Sequence, residues 1–280
     1  MPGPRGEVAS TVLDGRLIVI GGLEPVASVS REVSAYDARR DRWTRGRELP
    51  APRHHAAAAA LAGLVYVAGG SERADFAPSV EVWRARAGGG WAPVAPLPEP
   101  RSGHAMVGVG GRLYVVGGAG SGLDLLVLEP AANRWSRRAP LPGPGDHIRA
   151  AAWRGEIWAL GGRSDEPTKR VAVYDPSGDR WRAGPSLPEP MSAMAVGVMR
   201  DGLHVGGGED PDVPDGRVID AHYVHRPGAR RWAPAPKPDV SVHGAGYGVW
   251  KGRLIVAGGA ARQGLLSTIS WSSVTQVFGG

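Results

Sequence analysis

Along the chain, apolar residues come in runs of about five broken by turn residues, and the runs recur in pairs. The segments VLDGRLIVIGG ending at Gly22, ALAGLVYVAGG ending at Gly70, GVGGRLYVVGG ending at Gly118 and GVWKGRLIVAGG ending at Gly259 each set two β-rich runs around a tight turn. That pattern predicts a hairpin of two antiparallel strands, A and B. No segment carries a convincing 3.6-residue apolar period, so no long helix is expected.

Paired glycines close strand B at Gly21-Gly22, Gly69-Gly70, Gly117-Gly118, Gly161-Gly162, Gly207-Gly208 and Gly258-Gly259, at spacings of 48, 48, 44, 46 and 51 residues. A variable loop follows each pair. Then comes a third run, strand C, ending in an aromatic residue or its stand-in at Tyr36, Trp83, Leu128, Tyr174, Tyr223 and Trp271. Seven to nine residues later Trp43, Trp91, Trp135, Trp181 or Trp232 marks a fourth strand, D, and a proline-rich stretch such as PLPEPR leads to the next hairpin. A repeat of this length is one supersecondary unit that cannot bury both faces alone. Six such sheets stacked radially cover one another and leave no long edge. The expected fold is all-β: one six-bladed propeller over residues 1–280, with four-stranded antiparallel blades near 7–50, 51–98, 99–142, 143–188, 189–237 and 238–280 around a central channel.

Composition agrees once the repeat is seen. The 280 residues include 43 Gly and 25 Pro, a share near that of disordered chains. With 42% hydrophobic residues, 21% charged and a net charge of +6, however, the chain is too apolar for a solvated coil. The absence of cysteine excludes disulfides, thiolate metal sites and a cysteine nucleophile. Residues Met1 to Val12 lack the basic-then-apolar order of a signal peptide. The longest uncharged stretch, Ala56 to Ser71, is shorter than the ~20 residues a membrane helix needs. A cytoplasmic protein without a membrane partner is expected. The arginines alternate with acids and form no basic tract, which argues against nucleic acid as a partner.

A double glycine, a tyrosine and a tryptophan at fixed offsets resemble the kelch repeat. PEPRSGHAMVGVGGRLYVVGG, Pro98 to Gly118, and VAVYDPSGDRW, Val171 to Trp181, look like near-complete halves of it. The resemblance covers residues 7 to 280 and implies a propeller that hosts either binding or catalysis. The first unit holds its own strand A, Val8 to Leu13, and the sixth places Phe278 where a tryptophan is expected, so its fourth strand is truncated. The ring is therefore expected to close by packing of the first blade on the sixth, without a shared blade.

Because strand direction alternates, the D-to-A and B-to-C loops share one face. Just before strand A stand Arg5; Arg53 and His55; Arg101 and Ser102; His147 and Arg149; and His243, with Arg163 just after a glycine pair. Arg5, Arg53 and Arg101 each lie seventeen residues before the second glycine of their unit. In kelch adaptors, arginines and serines at this position grip acidic peptides, and a guanidinium suits that task because its fork bonds a carboxylate bidentately. These nine residues are the expected ligand-binding set, the partner being a protein or peptide, or a small anionic molecule. Glu209, Asp210, Asp212 and Asp215 form an acidic loop without calcium-loop spacing, so no metal ligands are assigned. The run GGAGSG, Gly117 to Gly122, lacks the Lys-Ser of a phosphate loop, and no cofactor is expected. The leading expectation is a non-enzymatic kelch propeller that binds at the arginine- and histidine-lined mouth. The alternative, by similarity to kelch-type sialic acid epimerases, is a cofactor-free isomerase or mutarotase acting on a small anionic sugar. In it, Glu209, Asp210, Glu24 or Glu72 would act as acid/base.

Overall fold

The computed structural model describes residues 1–120, 122–210, 216, 218–262 and 270–279. Five four-stranded antiparallel sheets and one three-stranded sheet, each with its strands side by side in chain order, form a six-bladed propeller with the A strands innermost. In the first blade strand A is Ala9–Leu13, B Arg16–Ile20, C Val33–Asp37 and D Arg42–Arg45. Its A–B turn works because Asp14 and Gly15 both adopt left-handed φ, 51° and 73°, whose twist matches that of the strands. Strands B and C are largely buried. The core lies between blades, as where Leu17, Val19 and Tyr36 of the first pack on Ile255 and Ala257 of the last.

The glycine pairs are the joints of the ring. The second glycine's amide donates to a carbonyl of the next blade: Gly22 to Arg53 at 2.7 Å, Gly70 to Arg101 at 2.8 Å, Gly118 to Gly145 at 2.7 Å, Gly162 to Met191 at 3.1 Å, Gly208 to Val242 at 3.0 Å and Gly259 to Arg5 at 2.8 Å. The D-strand tryptophans tie the rim in the opposite sense. The indole N–H of Trp135, Trp181 and Trp232 donates to a carbonyl of the preceding blade, at Ala95, Ala139 and Pro185, each at 2.8 Å.

The last blade departs from the others. Its strand C, Thr275–Phe278, pairs with strand B, Arg253–Ala257, and no fourth strand follows among the described residues. The C-terminal strand thus stays out of the first blade, and blade one packs directly on blade six. Trp43 donates to the Thr275 hydroxyl of this blade, at 3.2 Å. The Trp271 ring covers Gly6, where any Cβ would fall 2.0 Å from it.

Pairing corrects the aromatic register. Tyr36 lies opposite Leu17 and Tyr174 opposite Ile157, and by the same count the matching positions are Ala85, Leu128, His225 and Phe278. Trp83 and Tyr223 sit two residues earlier and Trp271 lies before the strand. A two-residue slip keeps a side chain on the same face of a strand, so hydrophobic pattern alone could not separate the two positions. His225 then takes the tyrosine's part, its ring 5.4 Å from that of Trp232.

Candidate functional site

The nine residues singled out on the loop face divide into two groups. Arg5, Arg53 and Arg101 are 1%, 1% and 0% exposed and hold their own blades together. Arg5 donates to the carbonyls of Gly21 and Glu32 and pairs with the Glu32 carboxylate at 3.0 Å. Arg101 donates to the carbonyls of Gly117 and Asp124 and pairs with Glu99. Arg53 meets Glu72 at 2.8 Å and Glu81 at 2.9 Å, its guanidinium 4.6 Å from the Trp83 ring centre. A guanidinium is held inside a protein only with such partners. The forks of all three are engaged within the fold, while the Nε of each is buried without a partner. Ser102 is likewise buried and pairs through its backbone with Ala119.

Two residues further along each unit, the chain comes to the axis. Fifteen positions before the second glycine stand Glu7, His55, Gly103, His147, Ala193 and Gly244, all with φ between 50° and 63°. Their backbones run in a ring around the channel mouth. The amide of His55 donates to Glu7 O at 2.9 Å, Gly103 to His55 O at 2.8 Å, Ala193 to His147 O at 3.0 Å and Gly244 to Ala193 O at 3.0 Å. Two of the six positions are glycine. At the other four a side chain is held in the left-handed region at about 1–2 kcal/mol each.

Three of those four side chains are polar, buried and meet. His55 Nε2 is 3.0 Å from His147 Nε2 and 3.4 Å from a Glu7 carboxylate oxygen. Gly103 and Gly244 leave the room. A Cβ at Gly103 would stand 2.4 Å from Asp146 Oδ1, and one at Gly244 would stand 2.3 Å from Glu7 Oε1. Around this core, Asp146 accepts from His147 Nδ1 at 2.8 Å, and His243 Nδ1 faces Glu7 at 3.2 Å. Arg163 bonds Asp146 at 3.2 Å and Glu209 at 2.6 Å. Glu7, His55 and His147 each offer one ligand atom, all within 4.8 Å of one another. Phe76 packs edge-on against His54 and His55. Asp212 and Asp215 of the acidic loop lie outside the described residues.

Burial pushes the Glu7 carboxyl upward, but the histidines that face it, with His243 the one whose own value is raised, hold Glu7 well below the ordinary carboxylate range. Burial holds His55 well below the ordinary histidine range. Burial pushes His243 down, but the facing carboxylates of Glu7 and Glu209 together outweigh it and leave the ring raised. Just inside the ring, burial and then the Arg101 charge push His104 down to about 3, and neither of its ring nitrogens has a well-placed partner.

His104 therefore charges on unfolding and not before. Its folded pKa lies below the unfolded value of ~6.5, so stability is full above pH 6.5 and falls as pH drops toward 3. Between pH 7 and pH 5 this one ring is expected to remove about 2 kcal/mol. Urea unfolding of wild type and His104→Met at both pH values checks this. An unchanged pH dependence in the variant would remove His104 as the cause.

Arg149 lies below the ring. It donates to the carbonyls of Met194 and Ile148, stands 6.0 Å from the Tyr247 ring centre, and has no carboxylate in ion-pair range among the described residues. The channel here is lined by Ala9, Ala57, Ala105, Arg149 and Tyr247 and holds a cavity of only about 40 Å³.

The ring and its loops can be set beside known proteins. Kelch motif profiles match residues 4–50 and 147–188, and a second kelch profile matches 100–142. Kelch-like protein 36 of Mus musculus is 38% identical over 81 residues, 27% of this chain and 13% of that protein. Kelch-like protein terF of Aspergillus terreus is 27% identical over 154 residues, 50% of this chain and 34% of that protein. The matched segments are thus a minor part of these relatives. The solved structure of YjhT superposes with a TM-score of 0.83 at 17% identity, over 98% of this chain and 95% of that one, which establishes likeness of fold. No helix among the described residues is long and apolar enough to cross a membrane.

Proposed function

This chain being a kelch-repeat β-propeller, we propose that it is a binding protein whose loop face docks a protein partner that is acidic on balance. One observation carries the reading. The large apolar side chains exposed among the described residues are Val26 (93%), Phe76 (49%), Val240 (37%) and Val274 (45%), and all four stand on the D-to-A or B-to-C loops. They come from the first two blades, the last blade and the loop that enters it, an arc of neighbours. Exposed apolar groups gathered on one face with a polar surround are the usual mark of a protein contact. The net charge of +6 suits an acidic partner.

Two further observations weigh against a sugar isomerase. The axial channel holds only about 40 Å³, far below the ~300–1,000 Å³ of small-molecule sites, and the cleft of about 440 Å³ beside Glu72 and Arg73 lies away from the axis. Two of the carboxylates at the mouth, Glu7 and Asp146, are lowered and so not poised to donate a proton near neutral pH.

The test compares wild type with a Val26→Asp/Phe76→Asp variant, both immobilised and exposed to extract of the source cells. The partner retained by wild type is then purified and titrated. The variant is expected to weaken its affinity by about tenfold or more, in keeping with loss of an apolar anchor, and wild-type affinity is expected to fall as salt is raised. Equal affinity for both proteins would remove the loop face as the docking surface.

A further inference from the structure

We propose that Glu7, His55 and His147 form a site for one divalent transition-metal ion of the zinc class at the axis of the ring. The case begins with the protons. His54 Nε2 lies 2.9 Å from the carbonyl of Arg73, which can only accept, so that nitrogen carries the hydrogen. His54 Nδ1 then accepts from His55 Nδ1, 2.5 Å away, and His55 Nε2 is left with a lone pair. On the other side the Asp146 carboxylate takes the hydrogen of His147 Nδ1 at 2.8 Å, which leaves a lone pair on His147 Nε2 as well. In their neutral forms two rings oriented from outside thus point lone pairs at each other across 3.0 Å, with a carboxylate oxygen 3.4 Å from one of them. Without a cation between them this arrangement is repulsive.

The spacing fits such a cation. With metal–ligand bonds of 2.0–2.1 Å, two donors on one tetrahedral ion lie ~3.3 Å apart, close to both distances here. Two imidazoles and one carboxylate form a donor set suited to zinc and its neighbours, and not to calcium or magnesium. The carboxylate behind His147 and the ring behind His55 are the outer partners that fix a ligand's tautomer. Asp146 and Glu209 already balance Arg163, whose Nη2 lies 3.3 and 3.2 Å from the two His147 ring nitrogens. His243 faces the other Glu7 oxygen. Gly103 and Gly244 open the space that the Asp146–His147 pair and the Glu7 carboxylate fill, so the ring departs from glycine where a ligand is needed and keeps it beside each ligand.

Chelator-stripped protein equilibrated with Zn²⁺ alone is expected to take up one ion per chain, measured by elemental analysis after dialysis. Co²⁺ in its place is expected to give visible absorption with nitrogen ligation. His147→Gly supplies the residue already present at the equivalent position of the third unit, in the same backbone conformation, so the variant should fold. Its Zn²⁺ affinity should fall roughly 100-fold or more, and Asp146→Asn should cost about 10–100-fold. Folded wild type that takes up no Zn²⁺ overturns the proposal in favour of a proton shared between the rings. Uptake unchanged in both His147→Gly and Glu7→Gln overturns it as well.

Discussion

Arg101→Met is expected to lower the unfolding free energy by about 3–5 kcal/mol, the cost of breaking a buried charged pair by removing one partner. Methionine nearly fills the volume, so packing changes little. What is lost is the bond to the Gly117 carbonyl, the bond to the Asp124 carbonyl and the charge facing Glu99, whose side chain is only 16% exposed. Urea unfolding measures the loss, and adding Glu99→Gln should recover part of it, because the stranded carboxylate is then gone. A loss below ~1 kcal/mol would be typical of a solvated pair. It would return Arg101 to the group of side chains free to meet a ligand.

Gly161→Ala should cost about 3 kcal/mol or more. Its φ of +60° alone charges a side chain about 1–2 kcal/mol. In addition, the new Cβ would lie 2.1 Å from the Met191 carbonyl oxygen, the acceptor of the Gly162 amide that joins the fourth blade to the fifth. The Met194 methyl, 2.7 Å from that Cβ, could swing away, but the Met191 backbone cannot. Gly63→Ala is the control: its φ is similar, +75°, but a Cβ there meets nothing within 4 Å, so only the conformational cost of about 1 kcal/mol remains. Equal losses at the two positions would show that the glycine pairs serve local turn geometry and not the joints between blades.

Much of this architecture was legible in the chain. The paired glycines at near-constant spacing imposed six units, and the hairpins around Asp14-Gly15 and Lys251-Gly252 announced strands A and B. What pattern could not supply was register at the rim and meeting at the axis. Trp83 and Tyr223 lie on the correct faces but two residues from the position that Tyr36 defines, and alternation is blind to such a shift. At the mouth, the arginines attracted notice because they recur in phase. Their partners Glu32, Glu81 and Glu99 stand at unequal offsets, so nothing local announced that the forks were already occupied. His55 and His147 were both visible as loop histidines, yet they are 92 residues apart and meet only because Gly103 stands between them. Counting two positions on from the arginines would have brought out Glu7, His55 and His147 as one ring, and that count was the available signal.

The joint between the last blade and the first is made of the same bond as the other five, but it ties together a much longer piece of chain. Gly22 and Arg53 close about thirty residues, whereas Gly259 and Arg5 close nearly the whole molecule, a loop roughly eightfold longer that costs about 2 kcal/mol more in closure entropy. The extra contacts at that seam fall where they can offset this. The Ser10 hydroxyl and the Tyr247 backbone exchange bonds of 3.0 and 2.8 Å, the Met1 amino group donates to the Ser273 carbonyl at 2.5 Å, Trp43 reaches Thr275 and Trp271 lies over Gly6. Among the described residues no strand is shared between blades, so this seam is held by the joint bond and by side-chain contacts across it.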